Sequence, residues 1–280
     1  MPHAKVISFI NMKGGVGKTT LAVNCGYTLT KEFGKKVLII DVDPQMNTSQ
    51  YTLKQIQVRE ILSHPEKTIH GIIAQNSRLP EVLSERASVQ DEHFNGIFHI
   101  QNNFDVIPSH LSIMDLNLDV APFNLNHFIE THVQSNYDAI ILDLPPTISS
   151  YTRIGLLASS HYVVPMTTDY LSFFGLPLLQ NYIQRISRNF GKEIIFSGII
   201  LNKVHPNQII YQDIKSQLVR NLEWASKLFA RELKESAVIS RAFSQNSIER
   251  NRQFILELGD SSLKAQIINI TMELMTKVRL

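Results

Sequence analysis

A single cysteine, Cys25, stands in the 280 residues. One thiol cannot build an intramolecular disulfide framework or a site of several thiolates, and this scarcity fits a reducing, cytoplasmic setting. No apolar run reaches the ~18 to 20 residues that a membrane span needs, and the first residues lack the charged, apolar and small-residue sections of a signal peptide. A membrane partner is not expected. A dominant charge sign is also missing: 27 Lys+Arg face 25 Asp+Glu, a formal +2, which argues against a uniformly basic nucleic-acid binder. Repeats, low-complexity tracts and convincing linkers are absent as well, so one domain over 1–280 is expected.

What is present suffices for a folded protein. With 44% apolar and 19% charged residues, the chain can fill a sizeable core and has too few charges for disorder. Charge is spread unevenly. Residues 1–184 hold 12 Lys+Arg and 16 Asp+Glu, whereas residues 185–280 hold 15 and 9, so the basic half is C-terminal. A basic face there could track phosphates, and a solvated mixed-charge surface explains the same count.

Short apolar runs alternate with stretches of helical period. The runs are 6–10, 37–40, 104–107, 139–142, 162–164 and 194–201, most of them apolar on both faces. That pattern belongs to strands buried in a mostly parallel sheet with helices on each side, a doubly wound α/β fold. Helices are expected at 19–33, about 152–159, 176–189, 208–221 and 261–277, with short helices and loops over 50–100.

The strongest local signal is Lys13-Gly14-Gly15-Val16-Gly17-Lys18-Thr19-Thr20, between the first strand and the first helix. Three glycines let the backbone take positive φ and turn successive N–H groups inward, an anion nest at a helix N-terminus. Three glycines at set positions arise by chance about once in 3,000 places at ~7% usage. Lys18 is placed for the β- and γ-phosphates, Thr19 for Mg²⁺ and Thr20 for the α-phosphate. Two further strands end in carboxylates, Asp41-Val42-Asp43-Pro44-Gln45 and Asp143-Leu144-Pro145-Pro146, and carboxylates at strand C-termini face the same crevice as the loop. The second is the Walker B arrangement for holding Mg²⁺.

The general loop G-x-x-x-x-G-K-[ST] would need glycine at position 12, where Met12 stands, and Lys13 adds a second lysine. This K-G-G-x-G-K-[ST] form resembles the deviant Walker A motif of the ParA/MinD family of P-loop ATPases. The resemblance implies ATP and Mg²⁺ as ligands, with Lys13 reaching across a nucleotide-sandwiched homodimer to the partner's phosphates. It also implies that D-x-D-P-Q is switch I, where Asp43 positions the attacking water and Asp41 belongs to the Mg²⁺ environment. D-x-P-P at Asp143 corresponds to switch II, and Asn202, at the end of another apolar run, to an adenine-reading amide. Thr168-Asp169-Tyr170 through Gly175-Leu176 resembles the family's segment before the next helix, with Asp for the more familiar Glu.

Within that family the sequence separates the tasks unevenly. A nitrogenase iron-protein role needs bridging cysteines and is excluded by the lone Cys25. A membrane cycle needs a C-terminal amphipathic anchor, but the stripe in 261–280 reads better as packing against the sheet. D-x-D-P-Q favours the ParA branch, which implies nonspecific DNA binding by the ATP-bound dimer and hydrolysis stimulated by a ParB-like protein. Between Lys215 and Arg252 stand eight cations against four Glu, and Lys227, Arg231, Lys234 and Arg241 are the DNA candidates. The segment Ser236–Ser244 resembles the family's I-P-R-x-x-x-x-E-A-P-S region only loosely, since its Pro-Arg pair is absent. Few residues precede the first strand, so no N-terminal helix-turn-helix is expected. The expectation is a small partition ATPase, nucleoid-associated when ATP-bound. An ATPase that positions a protein cargo and an ATP-gated binding module with negligible turnover remain as alternatives.

Overall fold

The computed structural model describes residues 3–74, 94–242, 245–250 and 252–280. Its sheet runs β3-β4-β2-β5-β1-β6-β7-β8, where β1 is Lys5–Phe9, β2 Val37–Asp41, β3 Phe98–Gln101, β4 Phe104–Ile107, β5 Ala139–Asp143, β6 His161–Met166, β7 Ile195–Val204 and β8 Leu233–Lys234. All neighbours pair parallel except β3, which is antiparallel to β4. The helices are α1 (Lys18–Phe33), α2 (Asn47–Thr52), α3 (Gln55–Ser63), α4 (Ile69–Ala74), α5 (Asn124–Phe128), α6 (Ser150–Ala158), α7 (Tyr170–Phe190), α8 (Ile209–Arg220), α9 (Leu222–Ala225), α10 (Ala237–Ala242), α11 (Gln245–Glu249) and α12 (Ser261–Val278).

Strand alternation divides the core into two layers. Val6, Leu38, Ile40 and Leu142 point to the side covered by α6, α7 and α8, while Ile7, Phe9, Ile39 and Ile141 point to α1 and α12. Because both faces are covered, the strands need apolar residues at successive positions, which is why the runs lack a polar alternation. The apolar stripe of α12 is spent in this way: Leu263, Ile267, Ile270, Leu274 and Val278 are buried in the α1 layer. Among the described residues no helix is long and apolar enough to cross a membrane.

Two elements depart from the sequence expectation. The 50–100 stretch, read as helices and loops, contributes α2, α3 and α4 but also β3, an edge strand too short to show a period; residues 75–93 of it lie outside the described residues. Helix α7 begins at Tyr170 rather than 176. Gly175 and Pro177 read as breakers, yet Asp169 caps the helix through Ser172 N and α7 runs through Pro177 at the loss of one backbone bond.

Candidate nucleotide site

The phosphate loop joins β1, the central strand, to α1. Gly15 (φ 76°) and Gly17 (φ 81°) take the left-handed conformation, and Gly17 caps the N-terminus of α1, so unpaired helix N–H groups face the crevice. A Cβ on Gly17 would lie 2.2 Å from Asn202 Nδ2, so the close approach of β7 demands glycine there as much as the φ does. Lys18 is 7% exposed, and burial lowers its ammonium from the ordinary value against the opposing pull of Asp143 and Asp43. A buried cation that is disfavoured as it stands is primed for a phosphate.

Asp41 and Asp143 are register partners at the ends of β2 and β5. Burial, and then the neighbouring Asp143 carboxylate, raise the Asp41 carboxyl well above its ordinary range. Its Oδ2 accepts from Ser49 N at 2.8 Å and Ser49 Oγ at 2.7 Å, and its Oδ1 from Asp43 N at 3.1 Å. Ser49 Oγ in turn accepts from Ser109 N at 2.9 Å, tying α2 to the end of β4. Asp41 therefore spends its oxygens on shaping the 43–49 segment. Asp143 is different: Oδ2 accepts from Thr19 Oγ1 at 2.7 Å and Thr48 Oγ1 at 2.8 Å, whereas the buried Oδ1 has no partner. Burial pushes this carboxyl up to about 6 despite both hydroxyls and Lys18. An orphaned buried carboxylate oxygen beside two hydroxyls is the donor set a hard cation accepts, so these residues fit Mg²⁺. Asp43 is 5% exposed, lines the cleft and accepts from Gln45 N at 2.9 Å.

Lys13 does not join Lys18. Its Nζ lies 2.7 Å from Asp169 Oδ2, outside the nest, with the side chain 36% exposed. Asn11, buried at the end of β1, positions this residue: Oδ1 accepts from Lys13 N at 2.9 Å while Nδ2 donates to Pro165 O at 2.7 Å on β6. Sequence reasoning missed Asn11, Thr48 and Ser49 as site residues; only the hydroxyls just after Pro44-Gln45 gave a signal for the last two.

The loop, Asp43, Met46, Asn47, Gln50, Tyr51, Val58 and Lys203 line an open cleft of about 840 Å³. Met46 (φ 59°) and Lys203 (φ 52°) at its rim hold left-handed backbone without being glycine, a strain typical of working sites. A side recess of about 230 Å³ adjoins it, between Thr20, Asn202 and residues 233–240. Asn202 opens into that recess, but its Nδ2 donates to Val16 O at 2.7 Å, so the NH₂ of its amide holds the loop. Gly14, Gly15, Val16, Gly17, Lys18, Thr19 and Thr20 thus come together with Asp41, Asp43, Asp143 and Asn202 at one sheet edge, and Lys13 flanks them.

The DNA candidates are strung along the β8 side instead of clustering. Lys227 O accepts from Ile199 N in the middle of β7, Lys234 pairs with Val204 at its end, and Arg241 is exposed on α10. Acids are interleaved: Arg231 N donates to Glu273, Glu232 pairs with Lys215, and Glu235 pairs with His205. Phe243 and Ser244 of the loosely matching segment lie outside the described residues.

Over residues 4–196 the chain matches the family model described as AAA domain. The sporulation initiation inhibitor protein Soj of Bacillus subtilis is 30% identical over 203 residues, 70% of this chain and 72% of Soj. The virulence plasmid ParA family protein pGP5-D of Chlamydia psittaci is 27% identical over 283 residues, 98% of this chain and 95% of that protein. Among solved structures, a putative plasmid partition protein of Borrelia burgdorferi bound to AMPPNP shares the fold with a TM-score of 0.73 at 21% identity, covering 99% of this chain and 100% of that one. The matched stretch takes in the phosphate nest, all three strand-end carboxylates and Asp169, and the chain belongs to the ParA/Soj family of P-loop ATPases.

Proposed function

We propose that the chain is a partition ATPase that binds ATP and Mg²⁺, pairs with a second copy around the nucleotides, binds DNA nonspecifically and is returned to the monomer by hydrolysis. The observation that carries this reading is the division of labour between two lysines, Lys18 buried in the nest and Lys13 outside it. In the proposed cycle the nest N–H groups and Lys18 bind the β- and γ-phosphates, Thr20 the α-phosphate, and the recess beside Asn202 receives the adenine. Thr19 and Asp143 would hold Mg²⁺, with Asp41 fixing the segment around them. Bound there, the ion would neutralise charge on the phosphate oxygens. Asp43, at the mouth of the cleft, orients the attacking water, and Lys13 stabilises charge on a second copy's phosphates as an arginine finger does. A ParB-like protein would stimulate turnover, and the ATP-bound form would reside on the nucleoid.

A titration of purified protein against DNA with ATP, ADP or no nucleotide, at two salt concentrations, tests the reading. Binding only with ATP, indifferent to DNA sequence and weakened by salt, supports it. A second reading, transport of a protein cargo, is favoured by the interleaved Glu232, Glu235 and Glu273, which dilute the basic track. ATP binding with no DNA binding in any state would select it, and absent turnover with every partner would leave an ATP-gated binding module.

A further inference from the structure

Asn24 lies one turn after Thr20 on α1, 1% exposed, and every polar atom of its side chain is partnered. Its Nδ2 donates to Thr20 O and to Tyr51 Oη, both at 2.8 Å, and its Oδ1 accepts from Ile255 N at 2.7 Å. The amide cannot be turned over, because Thr20 O can only accept and Ile255 N can only donate. Tyr51 extends the chain of bonds, its hydroxyl donating to Gln253 O at 3.0 Å. Burial lifts that phenol far above its ordinary range, so the proton it donates is held. Three segments thus meet at one carboxamide: the helix behind the phosphate loop, α2, and the 253–255 stretch that leads toward α12.

The joined segments bear on the cleft, although Asn24 itself does not line it. Tyr51 of α2 and Ile248 of α11 both do, and Gln55 N donates to Glu249 Oε1 at 3.0 Å, a second tie between α3 and α11. Helix α2 also sets Asp43, since Met46 N at its N-cap donates to Asp43 O at 2.9 Å. At its start α2 is held on Asp143 and Asp41 by Thr48 and Ser49; at its other end Asn24 holds it through Tyr51. The place of Asp43 depends on both ends.

We propose that Asn24 is a positioning residue for hydrolysis: it ties the helix that follows the phosphate loop to α2 and to the 253–255 segment, and through Tyr51 keeps Asp43 in place against the phosphates. The inference rests on the hydrolysis reading above and adds a residue that sets the geometry from outside the cleft. A shift of about 1 Å in a group that orients the attacking water can cost about a hundredfold in rate.

The test is steady-state phosphate release from ATP by the full chain carrying Tyr51→Phe, Asn24→Ala or Tyr27→Phe, with AMPPNP affinity from calorimetry and thermal melts alongside. Tyr51→Phe keeps the ring at the cleft and removes only the hydroxyl, so it carries the test if Asn24→Ala fails to fold. Tyr27→Phe is the matched control: that phenol is also fully buried and on α1, but it donates to Glu257 Oε1 at 2.7 Å and not to α2. Tyr51→Phe and Asn24→Ala should lower kcat about tenfold with AMPPNP affinity within about threefold of the parent, and Tyr27→Phe should leave kcat unchanged. Full turnover by Tyr51→Phe overturns the inference. An equal loss by Tyr27→Phe also overturns it, because the effect would then be one of core stability. Amide exchange gives a readout that needs no turnover. AMPPNP and Mg²⁺ should slow exchange in the parent at 18–24 and at 51–53, the end of α2 away from Thr48 and Ser49, and in Tyr51→Phe only at 18–24. Slowing retained at 51–53 in that variant breaks the link. A parent that binds AMPPNP and releases no phosphate from ATP sinks the hydrolysis reading alone, and exchange then decides whether Asn24 couples the two helices.

Discussion

At the scale of single residues, the site is a set of charges kept in unfavourable surroundings. Lys18 and Asp143 are both buried, and both lean toward their neutral forms. The sign of the Asp143 shift has a measurable result. A carboxyl raised from 3.8 to about 6 on folding contributes stability that is full below pH 3.8 and lost as the pH rises through about 6. Lowering the pH from about 7 to about 5 should therefore raise the melting temperature of the nucleotide-free protein relative to Asp143→Asn. The same change should weaken Mg²⁺-ATP binding in calorimetry, because the cation needs the ionised oxygen. Gly17→Ala should cost about 1–3 kcal/mol from φ alone and push Asn202 off Val16, read as a lower melting temperature with nucleotide affinity lost. Asp43→Ala should retain ATP binding and lose turnover, so unchanged phosphate release would remove Asp43 from its role. The loop and the strand-end aspartates were legible because each is a run of adjacent residues whose chemistry is local. The bonds Lys13–Asp169 and Asn202–Val16 were not, since they join positions that only the finished sheet brings together.

At the scale of elements, α2 is fastened to the strand ends through two neighbouring side chains, Thr48 on Asp143 and Ser49 on Asp41. Ser49 bonds Asp41 on β2 through both N and Oγ and takes Ser109 N from beyond β4. Ser49→Ala leaves a buried N–H and a buried carboxylate short of partners, which should cost about 1–3 kcal/mol. It should also reduce ATP turnover more than ATP affinity, since the phosphate loop is untouched; a parallel loss of both would move Ser49 from positioning to general stability. Leu274→Ala on α12 should destabilise by about 2–5 kcal/mol in denaturant titration, because a fully buried stripe, not a free amphipathic face, is what that helix carries. Long apolar runs and the buried face of α12 could be read from period alone. β8, two residues long, has no period to read, and α7 misled because Gly175 and Pro177 speak locally for a break while Asp169 and the packed Leu176, Leu179 and Ile183 outweigh them.

At the scale of the whole molecule, the proposed coupling of nucleotide to association would make stability depend on protein concentration. With ATP and Mg²⁺ the melting temperature should rise as the protein is concentrated, and without nucleotide it should not, because mass action acts only on a form that pairs. Equal curves would show that ATP binds without assembly. The mostly parallel sheet with two covered faces followed from the buried strands, whereas the order of the strands is set by which segments the finished sheet brings side by side, and no residue pattern announces that. One oxygen, Asp143 Oδ2, is shared by a hydroxyl from the phosphate loop and a hydroxyl from α2. A ligand that claims Thr19 changes the bonding of Thr48 with no backbone stroke between them, so the oxygen works as a summing junction with two inputs. A reporter dye intended to signal nucleotide occupancy therefore belongs on α2, at the exposed Gln50, and not on the loop that makes the contact.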